Sequence, residues 1–335
     1  MLWVQLSLSA AIILIAATQL TKNADVIAFK TGLGRSFVGV VLLATATSLP
    51  ELGTGVSAVT LIGGTDGANL AAGDAFGSNL FNLLIIGIID LLWRNGSIFS
   101  GLGIRVALVG VLGVLVIGGA ASAMLIHSYT DFMSNMIISP MSVIVLLVFL
   151  AALFTIYREE KYSVDEESNV NYSDESLSKA FIVYGIAALV VVGSAIWLAQ
   201  TGDALADEMG WGKSFVGTQF LALSTSLPEL AASVAAIRIM APELAITNVL
   251  GSNLFNMGFV LFLDDLAYTE GPIWTAVSSI HVFTAMLAMI MTMIVLIPMT
   301  SKSKLSFGRV ITLESILLIG LYVVGSVLVF ASGGH

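Results

Sequence analysis

Cysteine is absent from this chain of 335 residues, and charge is scarce: 10% of the residues are Asp, Glu, Lys or Arg, against 57% apolar. The first absence excludes disulfides, thiolate metal centres and cysteine nucleophiles. The second excludes an ordinary soluble domain, which carries about a quarter charged residues. Strand-like alternation at about ten-residue spacing, the mark of an outer-membrane barrel, is also missing. What is present is long apolar sequence. Stretches such as Ile104–Met124, Met141–Tyr157 and Ala180–Leu198 recur along the chain, and mean hydropathy is +0.99. Runs of about 18 to 25 apolar residues are the length of a bilayer-spanning helix. The chain reads as an all-α polytopic membrane protein.

The N-terminal stretch "MLWVQLSLSAAIILIAATQL" lacks the basic region of a signal peptide, and its apolar part is long for one, so a retained first spanning helix is expected. The net charge of −9 is concentrated rather than spread. Seven acidic residues fall within Arg158–Ser178, which reads as a solvated linker between two halves.

Those halves repeat each other. Gly32–Leu52 ("GLGRSFVGVVLLATATSLPEL") matches Gly210–Leu230 ("GWGKSFVGTQFLALSTSLPEL") at 14 of 21 positions. "GSNLFN" then occurs at Gly77–Asn82 and again at Gly251–Asn256. The spacing from Glu51 to Ser78 is 27 residues and from Glu229 to Ser252 is 23, and the turn "GGTDG" at Gly63–Gly67 is the expected place for the extra four. This is an internal duplication. Expected spans are 3–21, 36–61, 69–92, 103–125 and 137–157, then 179–200, 213–238, 243–263, 274–298 and 309–331, about ten transmembrane helices in all. The domains are therefore 1–157, a cytoplasmic acidic loop 158–178, and 179–335, with the duplicated motifs at 44–82 and 222–256.

Five spans per half make the two repeats inverted in topology. With both termini outside, twelve of the 13 Lys and Arg residues fall in cytoplasmic segments and only Lys213 does not, as the positive-inside rule requires. Asp25 and Asp203 are sequence counterparts, whereas Lys30 becomes Glu208 in the second copy. Inverted repeats with broken helices are a transporter architecture, with the binding site near the midplane.

The repeated "TSLPEL" supplies the chemistry. Proline within a helix removes a backbone donor and displaces the carbonyl four residues back, which would free those of Ala46 and Ser224. In hydrocarbon such carbonyls persist only against a polar cavity or ion. Glu51 and Glu229 are costly there unless paired. Thr47, Ser48, Thr225 and Ser226 precede the glutamates by three or four residues and share their helical face. "GSNLFN" adds Ser78, Asn82, Ser252 and Asn256, with Gly77 and Gly251 permitting close helix approach. These are hard oxygen ligands, of which Ca²⁺ takes about six to eight; two glutamates balance one Ca²⁺ or two Na⁺.

On these motifs the chain resembles the cation/Ca²⁺ exchanger superfamily, most closely its Na⁺/Ca²⁺ exchanger branch of prokaryotic type. Ala46 and Ser224 replace the leading glycine of the family's G-T-S-x-P-E. The resemblance implies ten transmembrane helices and alternating-access exchange of Na⁺ for Ca²⁺ without a cofactor. It further implies metal ligation by Glu51, Glu229, Thr47, Ser48, Ser78, Thr225, Ser226, Ser252, Asn82 and Asn256, and by backbone oxygens at Ala44 and Ala222. Asn82 and Asn256 stand where K⁺-dependent relatives have an aspartate, which argues against K⁺ transport. The glutamate motif of proton-coupled Ca²⁺ exchangers is absent. Asp74 stands where the family usually has asparagine, and is either a third cavity carboxylate or a loop-facing one. A cytoplasmic membrane of a prokaryote is the expected location, with Ca²⁺, Na⁺ and lipid as partners and neither nucleic acid nor an obligate protein partner.

An H⁺/Ca²⁺ or other cation/Ca²⁺ antiporter is the alternative, and a Ca²⁺ channel using the same carboxylates is the other; a requirement for a counter-gradient separates exchange from channel flux. An intramembrane aspartyl protease would need two converging aspartates, and the duplicated core offers Asp74 no such partner, so the chain does not read as an enzyme. His127 and His281 read as structural, the methionines of Met286–Met293 as packing, and Asp90, Asp264, Asp265 and Glu314 as helix-end charges that reach water.

Overall fold

The computed structural model describes residues 1–130, 136–162, 172–209, 221–300, 306–307 and 311–332. Among the described residues the regular structure is helical, apart from a two-residue antiparallel pairing of β1 (Ser306–Phe307) with β2 (Ile311–Thr312). Helix α1 (Leu2–Thr31) ends where Gly32 adopts the left-handed conformation at φ 67°. It is followed by α2 (Arg35–Thr47) and α3 (Leu49–Ile62), which meet at a bend of 41°. Then come α4 (Gly64–Leu92), α5 (Ile104–Tyr129), α6 (Pro140–Tyr162) and α7 (Leu177–Met209). Residues 221–225 are helical and lead into α8 (Leu227–Arg238), then α9 (Pro242–Ala267), α10 (Ile280–Thr300) and α11 (Leu313–Ser332).

Among the described residues seven helices are long and apolar enough to cross a membrane, and eight if the bent α2–α3 pair is one span. Of the remaining expected spans, the seventh begins in 210–220, outside the described residues, and the last is α11, apolar over Leu313–Val329. Leu61, Ile104, Leu115, Leu147, Leu189 and Val327 are all exposed. Such an apolar surface suits lipid, where it replaces no water contacts.

Two helices form the centre. In the apolar windows of α4 and α9, 72% and 83% of residues are buried, against 28% to 50% in the other five single-helix spans. The first helices of the two halves, α1 and α7, lie side by side, and α1 also packs on α8, where Thr21 Oγ1 donates to the carbonyl of Ala232 (3.2 Å). Small residues set the spacing at the centre. A Cβ on Gly251 of α9 would sit 2.8 Å from the Cα of Val40 in α2, so only glycine permits this approach. At Gly77 the nearest atom to such a Cβ is 3.6 Å away, an ordinary contact, so the close approach expected at both glycines exists at Gly251 alone.

The four extra residues of the first motif do not lie in a turn. The chain reverses at Gly63 (φ 67°), and α4 begins at Gly64. Glu51 to Gly64 and Glu229 to Pro242 are both 13 residues, so the difference falls inside α4, as one added helical turn. With 3.6 residues per turn, four residues return nearly to the same face.

A second insertion is subtler. α9 contains a π-turn at Asn256–Val260, which accommodates one residue more than α4 has. Beyond it the halves match with an offset of 175 rather than 174. Trp93 and Tyr268 end their helices with φ, ψ of −77°, 115° and −76°, 114°. Asp90 Oδ1 accepts from the N–H of Ile98 (2.8 Å), and Asp265 Oδ1 from that of Ile273 (2.6 Å).

These aspartates correct a sequence expectation. Asp90, Asp264 and Asp265 are fully buried rather than reaching water. Asp90 Oδ2 also accepts from Thr312 Oγ1 (2.6 Å) and Ser315 Oγ (2.5 Å), fastening the start of α11 to the end of α4. Asp265 Oδ2 accepts from the N–H of Ser139 (2.8 Å) at the start of α6. A carboxylate accepting several hydrogen bonds offsets much of its burial cost.

At the α1–α2 corner Arg35 pairs with both oxygens of Asp25 (2.6 and 2.9 Å), and the Tyr172 hydroxyl donates to Asp25 Oδ2 (3.0 Å). Partial burial and the neighbouring Asp25 carboxylate push the Tyr172 phenol up to about 12, so it remains a donor at neutral pH. The backbone of Asp203 lies in α7; Lys213, the counterpart of Arg35, lies outside the described residues.

Candidate functional site

Both "TSLPE" segments break their helices in one way. Ser48 has φ, ψ of −92°, 5° and Ser226 −89°, 4°, the bridge region rather than the helical one. The prolines then stand in the first turn of α3 and α8, where a missing N–H costs little. Consequently Glu51 and Glu229 lie in the first turn of a new helix, whose unpaired N–H groups and dipole favour a negative charge. Proline and glutamate are adjacent because one starts the helix whose positive end steadies the other.

The glutamates cross-pair with the opposite half. Ser48 Oγ donates to Glu229 Oε1 (3.0 Å), and Ser226 Oγ donates to Glu51 Oε1 (3.2 Å). Ser252 Oγ donates to the same Glu229 oxygen (3.2 Å). Both glutamates are fully buried, and Oε2 of each has no hydrogen-bond partner. Buried polar atoms are nearly always partnered, so two orphaned carboxylate oxygens mark a place built to face something positive.

Asp74 joins this cluster. It is 3% exposed, its Oδ1 accepts from Thr225 Oγ1 (3.1 Å), and its Oδ2 has no partner. It is thus buried between helices rather than facing a loop. Ser78 Oγ lies 3.4 Å from Thr225 Oγ1. Thr47 Oγ1 contacts the carbonyls of Leu43 (3.0 Å) and Ala44 (3.3 Å) and lies 3.4 Å from Asn248 Oδ1. The carbonyls of Ala44 and Ala222 each accept a serine N–H, at 2.9 and 3.0 Å, and each has a threonine hydroxyl 3.3 Å away, so they serve their own helices here.

Asn82 and Asn256 belong to an amide network between α4 and α9. Asn82 Nδ2 donates to Asn253 Oδ1 (2.9 Å), Asn253 Nδ2 to the carbonyl of Asn79 (3.2 Å), and Asn256 Nδ2 to Asn79 Oδ1 (3.5 Å). Oδ1 of Asn82 and of Asn256 has no partner. Sequence reasoning missed Asn79, Asn253 and Asn248 as members, although the repeated "GSN" contained the signal for the first two. Asn248 Nδ2 donates to Ser233 Oγ (3.2 Å) and the Glu229 carbonyl (3.5 Å), bracing the α8–α9 turn.

Among the described residues no three His, Asp or Glu side chains form a metal-holding group. The site is instead carboxylates with hydroxyls and amides, an all-oxygen donor set of the kind that hard cations take. His127 is held by the Ala123 carbonyl and Ser139 Oγ, and His281 stacks on Phe76 at 6.0 Å.

Comparison with known proteins places this geometry. The family described as sodium/calcium exchanger protein matches residues 1–158 and 179–331. The chain is 27% identical over 272 residues to inner membrane protein YrbG of Escherichia coli, covering 78% of each. It is 26% identical over 309 residues to sodium/calcium exchanger MaX1 of Methanosarcina acetivorans, covering 82% of this chain and 85% of that one. A solved structure of the sodium-calcium exchanger NCX_Mj, soaked with Na⁺ and Sr²⁺, superposes with a TM-score of 0.71 over 97% of this chain and 98% of that one, at 18% identity, and so shares the fold.

Proposed function

The chain belongs to the sodium/calcium exchanger protein family, and on that premise we propose that it is a secondary active antiporter that exchanges Na⁺ for Ca²⁺ by alternating access. Membership makes it a multi-pass membrane antiporter of the cation/Ca²⁺ exchange type and not an enzyme. The coupling ion, the ligands and the topology are the proposal.

One observation carries it: two fully buried glutamates, one from each half, each bound through one oxygen to the other half's serine and holding the second oxygen free. Two carboxylates neutralise one Ca²⁺ or two Na⁺, so the same oxygens serve either cargo but not both at once. That competition is what couples the fluxes. Thr47, Ser48, Ser78, Thr225, Ser226, Ser252, Asn82 and Asn256 supply the neutral oxygens of the set. Ala44 and Ala222 carbonyls enter only if the threonine hydroxyls turn away.

The matching break at Ser48 and Ser226, and the matching caps at Asp90 and Asp265, support two five-helix repeats at 1–157 and 179–335 flanking the acidic loop. Ten spans follow from the apolar runs, inverted orientation from five spans in each repeat, and both termini outside from the distribution of Lys and Arg. The location is then the cytoplasmic membrane.

The test is ⁴⁵Ca²⁺ uptake into proteoliposomes loaded in turn with Na⁺, K⁺ or protons. Uptake driven by an outward Na⁺ gradient alone is expected. An absolute need for K⁺, or drive by a pH gradient alone, assigns another coupling ion, and uptake without any counter-gradient assigns a channel.

A further inference from the structure

The two halves differ in their buried carboxylates. With the offset of 174 that aligns "GSNLFN", Asp74 matches Asn248. With the offset of 175 that holds beyond the π-turn, Asp265 matches Asp90 and Asp264 matches Ile89. Asp74 and Asp264 are thus the extra acids, one from each half.

The structure packs the elements that carry them against each other. The end of α9 packs on α3 and α4. The start of α4 and the segment after α9 meet there, Gly64 N–H donating to Glu270 Oε1 (3.0 Å). Asp264 lies directly on Gly55, one helical turn beyond Glu51 on α3: a Cβ at Gly55 would stand 2.6 Å from both Oδ1 and Oδ2.

Asp264 is fully buried and neither of its oxygens has a hydrogen-bond partner; Asp74 Oδ2 has none either. No other aspartate among the described residues has both oxygens orphaned in this way. Asp90 and Asp265 show how this fold satisfies a carboxylate that serves structure, with two or three donors each. Among the described residues no basic side chain pairs with Asp74 or Asp264. The segments Ser36–Trp93, Ser214–Ile237 and Ile239–Ser301 contain no lysine or arginine. Glu51, Glu229, Asp74 and Asp264 therefore place four carboxylates in the core, and the glutamate pair accounts for a single divalent ion. A carboxylate without partner at this depth is costly unless a cation meets it.

We propose that Asp74 and Asp264 form a second divalent-cation site, beside the glutamate pair and displaced towards the Gly63 and Tyr268 ends of α3 and α9. Its ligands are carboxylate oxygens from α4 and α9, and Gly55 leaves the room that lets Asp264 lie there. An ion entering from that face meets this site before the glutamates, and a second cation next to the first weakens both, which favours release. The proposal rests on the exchange reading only for the choice of Ca²⁺ as the probe.

The experiment is equilibrium binding of ⁴⁵Ca²⁺ to the purified full-length protein in Na⁺-free buffer, with thermal unfolding and size-exclusion profile as folding controls. The wild type is expected to bind two Ca²⁺ per chain. Asp264→Asn should bind one, and so should Gly55→Ala, which removes no charge. Glu51→Gln/Glu229→Gln should also keep one, lost on adding Asp264→Asn. Asp264→Asn removes an unpartnered buried charge and should fold, so the test survives failure of Gly55→Ala. One Ca²⁺ in the wild type, unchanged stoichiometry in Asp264→Asn, or complete loss in that variant overturns the second site. Failure of the exchange reading is seen separately, as no Na⁺-driven uptake by the wild type.

Discussion

Replacing Glu51 by Gln removes one charge and almost nothing else. The amide oxygen can still accept from Ser226 Oγ, now 3.2 Å from Glu51 Oε1, so the cross-half hydrogen bond survives. What is lost is the attraction of a full charge, on a group with no exposed surface, for the bound ion. For a divalent ion about 3 Å from the carboxylate centre, an effective dielectric of about 20 gives about 11 kcal/mol, and half that for Na⁺. Even if two thirds is offset by the easier burial of a neutral amide, about 4 kcal/mol remains, roughly a thousand-fold in Ca²⁺ affinity. The same reasoning applies to Glu229, whose Oε1 accepts from two serines. Both variants should insert and fold, because an uncharged side chain is cheaper to bury than an ionised one. Titration calorimetry with Ca²⁺ and ⁴⁵Ca²⁺ flux in Na⁺-loaded proteoliposomes are the assays. Expected are the loss of one of the bound Ca²⁺ ions from the titration in each single variant, flux near background, and a smaller loss for Na⁺. If either variant still bound Ca²⁺ at the wild-type stoichiometry and within tenfold of the wild-type affinity, the glutamate pair would not be a site of the divalent ion.

Three further outcomes test the fold around the site. Cysteines introduced at Ser168 and Ser332 should react with an impermeant thiol reagent from opposite membrane sides; labelling of both from one side refutes the inverted repeats. Gly251→Ala should lower the thermal midpoint, since its methyl would meet the Val40 backbone at 2.8 Å and overpacking costs about 1–3 kcal/mol, whereas Gly77→Ala should be nearly neutral; equal effects would contradict the packing described. Asp90→Ala strands the N–H of Ile98 and leaves the hydroxyls of Thr312 and Ser315, 3.0 Å apart, one proton without an acceptor, so two unpaired donors at a typical 1–3 kcal/mol each should destabilise by about 2–6 kcal/mol, read as an earlier unfolding transition with Ca²⁺ binding by the folded fraction unchanged.

The sequence by itself determined the class of protein and showed its duplication, and it singled out Glu51 and Glu229 with the hydroxyls beside them. These are local properties. Apolar length decides whether a segment spans a bilayer, and a repeated hexapeptide is visible without knowing what it touches. The reason proline precedes glutamate was only half legible. Proline was expected to free a carbonyl within a continuing helix, but the chain stops at Ser48 and starts again, so the residue opens α3. The tertiary structure decided what lies across from what. The hydrogen bonds joining Ser48 to Glu229 and Ser226 to Glu51 link residues 181 and 175 apart, and no local pattern specifies such a pairing. It also decided the aspartates. Asp264 and Asp265 are adjacent, and either aligns with Asp90 depending on one residue. The π-turn at Asn256–Val260 absorbs that residue, rotates the rest of α9 by about 100°, and so gives Asp265 to the cap and Asp264 to the core. A helix's rotation about its own axis is set by the neighbours it packs on, and those neighbours exist only once the chain is folded.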